Sequence, residues 1–147
     1  MVDYADIGKR IRACRLAKGM TQEQLANEVG VVVTHISHIE TGNSVPSLKT
    51  LIDIINAHKK HVWVRHVVVP DINDTPEDME ALNVFMKKIR FVDKVELLGY
   101  HTMAVEKYGK LGITYRLKGV PAMDSARLME LQKLIHKPAE AVTRVSL

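Results

Sequence analysis

Seven histidines and one cysteine are the side chains of this 147-residue chain with the most scope for metal or nucleophile chemistry. His35 and His38, and separately His58 and His61, stand three positions apart, a spacing at which two imidazoles can share a metal ion. Neither pair has a third carboxylate or thiolate to complete a site, so both read as exposed or core histidines and no metal is expected. Cys14, the one cysteine, cannot close a disulfide within the chain and agrees with a reducing compartment. No phosphate-binding loop, nucleotide fingerprint, nucleophile elbow or internal repeat occurs. No catalytic residue and no cofactor is expected.

Composition narrows the class further. With 46% hydrophobic and 26% charged residues, the chain can bury a core and is globular rather than disordered. No apolar run approaches the ~20 residues of a membrane span, and MVDYADIGKR lacks the apolar centre of a signal peptide. A cytosolic (cytoplasmic) protein with no membrane partner is expected. The net charge of +4 is unevenly placed: residues 1–57 balance six basic against six acidic side chains, so the whole excess lies in 58–147. Lys9, Arg10, Arg12, Arg15 and Lys18 nevertheless gather in one segment and offer a local positive edge.

The elements that would position these groups follow from periodicity. Ile7, Ile11 and Cys14 recur at helical spacing, giving a helix that ends near Gly19. Thr21 with Gln24 forms a capping-box pattern that starts a second helix with Leu25, Ala26 and Val29 inward. Gly30 allows the turn into a third, about Val33 to Glu40, with Ile36 and Ile39 buried. Gly42 and Asn43 reverse the chain, and Pro46-Ser47-Leu48 opens a fourth with Leu48, Leu51, Ile52 and Ile55. Four short helices around one apolar centre make a compact bundle.

The run T-Q-E-Q-L-A (21–26), then G-V-x-x-x-x-I-S-x-I-E-x-G (30–42), then P-S-L-x-T-L (46–51), resembles the phage-repressor or Cro-type (XRE family) helix-turn-helix domain over about residues 5–57. That resemblance implies a third helix lying in the major groove of double-stranded DNA, with dimers reading two half-sites one DNA turn apart. Carried over by position, Val33, Thr34 and His38 would face base edges. Thr21 and Gln22, with the backbone near Thr41 to Asn43, would hold phosphates. Arg15 and Glu40 match the family's buried ion pair. Val32 stands where the family usually has a Ser or Thr cap, worth about 1 kcal/mol. Val33 and Thr34 bring little hydrogen-bonding capacity, leaving thymine-methyl contact and one hydroxyl.

The period changes after His58. His61 to Val69 is Val-rich with Trp63, and its near-continuous apolar character predicts a parallel strand covered on both faces. Thr75-Pro76-Glu77-Asp78 starts a helix whose stripe is Met79, Leu82, Met86 and Ile89. Lys94 to Leu98 predicts a second strand. Ser125 to Ile135 predicts a last helix, with Leu128, Leu131 and Leu134 or Ile135 inward. The tail HKPAEAVTRVSL has no clear period and is expected to fray.

V-W-V-R-H-V-V-V-P (62–70), V-E-L-L-x-Y-H (95–101) and Y-x-L-x-G-V (115–120) together resemble the C-terminal third of radical-SAM enzymes that install the glycyl radical of pyruvate formate-lyase, over about residues 59–135. The resemblance implies one side of an incomplete β/α barrel, with Arg65 and His101 near S-adenosylmethionine. Asp71 stands where the family usually has Gly after Pro70, and Gly99 where it has Pro. The family's chemistry needs a [4Fe–4S] cluster on three close cysteine thiolates. This chain offers Cys14 alone, so it is read as non-enzymatic, with residual S-adenosylmethionine contacts at most through Arg65 and His101.

The expected fold class is therefore α+β: an all-α helix-turn-helix bundle (1–57), a small β-α-β-α fragment of a partial barrel (58–136), and a tail (137–147). Two parallel strands would leave one face and both edges uncovered, to be met by packing or by strand pairing with a second copy in a C2 dimer. The expected function is that of a sequence-specific DNA-binding transcriptional regulator, acting as a homodimer. The alternatives are an activase-derived interaction module that contacts a glycyl-radical enzyme, or a gene fusion without selected function.

Overall fold

The computed structural model describes residues 2–136; the expected fraying of 137–147 lies outside them. The architecture is mixed α and β and divides into two compact units, Met1–His61 with Ile89–Phe91, and a second that begins at Val62. The expected boundary at Ala57 falls at the end of a helix, slightly before this division.

The first unit is four helices: α1 (Tyr4–Ala17), α2 (Gln22–Val29), α3 (Val33–Glu40) and α4 (Leu48–Ala57). Their starts are local. Asp3 Oδ1 accepts from the Asp6 amide at 3.0 Å, and Ser47 Oγ accepts from the Thr50 amide at 3.0 Å. The Thr21–Gln24 capping box is closed in both directions, at 3.1 and 2.8 Å. Gly30 adopts φ 71°, the left-handed geometry that ends α2. Ile11, Leu25, Ala26, Val29, Ile36, Ile39 and Ile54 form the core. In α4 the buried face is rotated from expectation: Leu48 is 61% exposed, while Ile54 is buried and Ile55 only half-buried.

At Gly8 the backbone of α1 meets the end of α3 so closely that a Cβ would overlap the carbonyl oxygen of Ile39 and lie 3.0 Å from that of Glu40. Glycine here serves close approach rather than an unusual dihedral, since it sits inside a regular helix.

The second unit contains β1 (Val62–Val68), α5 (Pro76–Met86), β2 (Val92–Gly99), α6 (Met103–Lys110) and α7 (Ser125–Leu134). The two strands pair in parallel, with Trp63 beside Lys94, Arg65 beside Glu96 and Val67 beside Leu98. Thr75 and Asp78 form the capping box that opens α5. Val68, Met79, Leu82, Met86, Leu97, Leu131 and Ile135 make a core on one face of the sheet. Ile135 rather than Leu134 points inward, Leu134 being 43% exposed. Ile89 lies past the end of α5 and groups with the first unit. The helix α6 stands where no element is expected from the sequence, with Met103 at its start exposed.

Two readings of the sheet meet different outcomes. Among the described residues one face stays open, as expected for two parallel strands and against the reading of β1 as covered on both faces, since Trp63 is 52% and Val67 47% exposed. Its edges are not bare. Along β1, Asn73 Oδ1 accepts from the Val69 amide at 2.7 Å and its Nδ2 donates to the Val67 carbonyl at 3.0 Å. Along β2, Gln132 Oε1 accepts from the Leu97 amide at 2.8 Å and its Nε2 donates to the Val95 carbonyl at 3.4 Å. Each side-chain amide does for one stretch of edge what a neighbouring strand would do, and each obstructs strand pairing with a second copy there.

The exposed face is held by its own charges. The Arg65 guanidinium lies 5.2 Å and the Lys94 ammonium 4.5 Å from the Trp63 ring centre. Glu96 accepts from Arg65 Nε at 3.1 Å and from Lys94 Nζ at 3.3 Å. These bonds, that from Lys94 first, hold the Glu96 carboxyl below its usual range.

Two outcomes are expected. Gly8→Ala, which in an open helix would stabilise, should lower unfolding free energy by about 2 kcal/mol through overpacking; an unchanged or higher urea midpoint would contradict the close approach. Gln132→Ala should cost about 1–2 kcal/mol by orphaning the Leu97 amide, read as faster hydrogen exchange at Leu97 than at Leu98.

Candidate nucleic-acid interface

The surface in question is the outer edge of α3 and the residues beside it. Val33, Thr34 and His38 are exposed along α3, opposite the buried Ile36 and Ile39. Thr21, Thr41 and Asn43 are exposed, and Gln22 is half-buried. The expected residues are thus placed at the surface of the first unit, with two changes in what they can do.

The first change concerns Gln22. Its Nε2 donates to Glu40 Oε2 at 2.8 Å, so the side chain supports the buried ion pair rather than standing wholly available to a phosphate. The second concerns the turn after α3. The amides of Thr41, Gly42 and Asn43 donate to the carbonyls of Ser37, Ile39 and His38 at 3.1, 3.1 and 2.8 Å. This backbone, expected to hold phosphates, is committed to ending α3. Side chains remain: Thr41 Oγ1 donates to the Ser37 carbonyl at 2.9 Å and accepts from Asn43 Nδ2 at 3.0 Å, which leaves the Asn43 oxygen turned to no bond within that pair.

Behind α3 sits the group that orients it. Arg15 Nε donates to Glu40 Oε1 at 2.6 Å and Nη2 to Oε2 at 2.9 Å, a two-point fork. Arg15 Nη1 also donates to the Met20 carbonyl at 2.7 Å. Both side chains are buried, at 7% and 1% exposure. Burial alone would raise the Glu40 carboxyl, but the bonds from Arg15 and Gln22 and the charges of Arg15 and Arg12 outweigh it and hold it below its usual range. The bond to Glu40 raises Arg15 against its own desolvation. The roles of Gln22 and Met20 had no signal in the sequence, because one is a carbonyl contact and the other needs the folded distance.

The start of α3 has no such support. Val32 occupies the cap position, is 69% exposed and makes no side-chain cap bond. Asp71, where a Gly was the expected type, adopts φ 61°, a left-handed conformation that Asp tolerates better than most side chains.

Arg65 is engaged by Glu96 and Trp63 on the exposed sheet face, and His101 is exposed just beyond β2. A three-thiolate iron–sulfur cluster does not fit the residues present, since the one cysteine, Cys14, lies in α1 of the first unit. Among the described residues, no group of three or more His, Cys, Asp or Glu could hold a metal ion, and no helix is long and apolar enough to cross a membrane.

Residues 11–62 match the helix-turn-helix family model. The chain is also similar to the pyruvate formate-lyase-activating enzyme of Clostridium pasteurianum, 32% identical over 125 residues that cover 80% of this chain and 52% of the relative. The enzyme of that name from Streptococcus mutans is 37% identical over 98 residues, covering 67% of this chain and 37% of the relative. The chain thus spans about half the length, or less, of these curated relatives. The alignment of 125 residues is longer than the sequence left outside 11–62, so the two likenesses share part of the chain. Among solved structures, the restriction-modification controller protein C.AhdI from Aeromonas hydrophila is 30% identical, covering 40% of this chain and 89% of that one, with a TM-score of 0.39. The clp gene regulator ClgR from C. glutamicum is 26% identical, covering 42% and 80%, with a TM-score of 0.40.

Glu40→Gln should cost roughly 3 kcal/mol at neutral pH, because it leaves the Arg15 charge buried without its partner. A lowered folded-state carboxyl contributes stability above the ordinary value of 4.5 that is lost as pH falls through the folded value. The deficit of the variant in denaturant melts should therefore narrow below pH 4.5. A deficit that stays constant with pH would sink this account.

Proposed function

We propose that this protein is a cytosolic, sequence-specific DNA-binding regulator of transcription that engages double-stranded DNA as a homodimer. The observation that carries the reading is the exposed edge of α3, with Val33, Thr34 and His38 outward on a helix fixed from behind by Arg15 and Glu40. The helix-turn-helix match over residues 11–62 supports it. In this reading Val33 meets thymine methyls, Thr34 and His38 donate or accept at base edges, and Thr21, Gln22, Thr41 and Asn43 position the backbone of the DNA. The domain limits that go with it are 1–57 for DNA binding and 58–136 for the activase-like part.

The activase likeness does not extend the proposal to radical chemistry. The single cysteine cannot supply three thiolates, so the second unit is proposed to be non-catalytic. A second reading is favoured by one observation, the extent of that likeness over 80% of the chain: the second unit is an interaction module that contacts a glycyl-radical enzyme. It makes no demand on α3.

Selection of a randomised duplex pool by the purified full chain, with sequencing and a salt titration, separates the two. The expected result is a palindrome with half-sites about 10 bp apart and affinity that falls steeply with salt. Thr34→Ala with His38→Ala should relax base preference by about 0.5–1.5 kcal/mol at each affected position, the worth of one hydrogen bond, while leaving the salt slope nearly unchanged. No enriched sequence, with the fold intact by circular dichroism, would overturn the regulator reading.

A further inference from the structure

Among the described residues of the first unit, three ionisable side chains are buried, and the Arg15–Glu40 fork accounts for two of them. The third is His58, the residue that ends α4. It is 5% exposed, and neither ring nitrogen has a hydrogen-bond partner among the described residues. Buried polar atoms are almost always bonded, so two orphans on one ring are a standing cost to the fold. That cost depends on the proton. A neutral ring leaves one donor and one acceptor unmet, whereas a protonated ring would leave two donors and a full charge buried without a partner.

The groups that face the ring do not relieve a charge on it. From α1 these are Arg15 and Lys18, with Arg10 and Cys14 along the apolar cleft that His58 borders; from α2, Glu28; from the segment after α4, Lys60. Arg15 is committed to Glu40, and Lys18 Nζ donates to the Ala57 carbonyl at 2.7 Å, one residue before the ring. Glu28 is the one carboxylate in this set, and it makes no bond to the ring. Burial first, then Lys18, hold the imidazole below its ordinary value of 6.5, with Lys60 and Arg15 adding to them and Glu28 opposing.

We propose that His58 is an acid-sensitive latch on the end of α4: the neutral, unbonded ring stays buried and closes that end of the bundle, and a proton on it drives the ring into water and opens the end with it. The bonds released are few and local. The His58 amide donates to the Ile54 carbonyl and the Lys60 amide to the Ile55 carbonyl, each at 3.0 Å. Lys18 holds the Ala57 carbonyl, and Asn56 Oδ1 accepts from the Arg90 amide at 2.9 Å, fastening the stretch 89–91 to the same end. The direction with pH follows from the lowered value. An opened ring titrates near its ordinary 6.5 and the closed ring lower, so opening is independent of pH well above 6.5. Below it, opening grows at most about tenfold for each pH unit until the closed ring itself takes the proton. The latch does not depend on DNA binding, and its test uses none.

Two measurements on the full chain test this, the NMR titration of the His58 ring and amide protection factors across the same pH range. The ring midpoint should lie below 6.5. Protection of the His58, Lys60 and Arg90 amides should fall severalfold between about pH 7.5 and about pH 5.5. Their exchange should be nearly unaffected by low urea, the mark of local opening, whereas Ile36 and Ile39 of α3 should exchange faster as urea promotes global unfolding. His58→Leu, which puts an apolar side chain in the same place, should remove the pH dependence at the α4 end and leave the Lys60 and Arg90 amides protected at both pH values. If that variant does not fold, the ring titration and the protection factors of the unaltered chain decide. A ring midpoint at or above 6.5, protection at the α4 end that does not change while the ring titrates, exchange there that follows urea as α3 does, or the same pH dependence in His58→Leu would each overturn the proposal.

Discussion

The first unit depends on one buried contact, the fork between Arg15 and Glu40. It joins the last turn of α1 to the last residue of α3, and through Gln22 Nε2 and the Met20 carbonyl it also fixes the entry to α2. A buried ion pair gains little over a well-packed apolar pair in free energy. What it adds here is direction. Both oxygens of Glu40 and three nitrogens of Arg15 are assigned partners, so α3 cannot roll about its axis without breaking several bonds at once. Close approach at Gly8 acts on the same end of α3. The outward positions Val33, Thr34 and His38 are consequently defined by contacts on the opposite side of the helix.

The second unit solves a different difficulty, the instability of a two-stranded parallel sheet. Its inner face is apolar and covered by α5 and α7. Its outer face carries Trp63 between two cations that share Glu96, so a large ring stays half in water with charged neighbours in place of an apolar layer. Its edges are closed locally by the amides of Asn73 and Gln132. A buried Asn83 performs a similar service at the end of α7, donating to the Leu134 carbonyl at 2.9 Å and accepting from the His136 amide at 2.9 Å. Two uncharged amide side chains thus replace pairings that further strands would otherwise supply, and a third closes a helix end. Dimerisation by extending this sheet is disfavoured at those edge positions.

What the sequence made legible was local. The Thr21–Gln24 capping box, the helix start at Thr75, the turn at Gly30, the missing cap at Val32 and the two strands are set by residues within a few positions of one another, and each stands close to where the spacing placed it, the reciprocal Asp78 bond to Thr75 being added by the structure. The rotated face of α4 was not legible, because Leu48 and Ile54 are equally apolar and the choice between them belongs to the packing of α4 on α2. The edge amides of Asn73 and Gln132 were not legible either, since an exposed-looking Asn or Gln reveals its partner only when the strand lies beside it. Around α3, the residue types were readable but their commitments were not: Gln22 and the turn amides are used within the fold, and composition cannot distinguish an engaged donor from an available one.

That redistribution bears on how the first unit can recognise DNA. In the proposed function the outer edge of α3 offers two short side chains, Val33 and Thr34, and one ring, His38, with no Arg, Asn or Gln to make the two-point base contacts worth about 1–3 kcal/mol each. Residues 1–57 carry no net charge, so non-specific attraction to phosphate is modest apart from the basic cluster on α1. One copy would therefore bind weakly and discriminate little. Joining two copies turns the second contact into an intramolecular one, which multiplies affinity without any new contact. If α3 is the reading helix, as proposed, two-fold engagement would be the physical route by which a neutral unit so poor in donors reaches useful specificity.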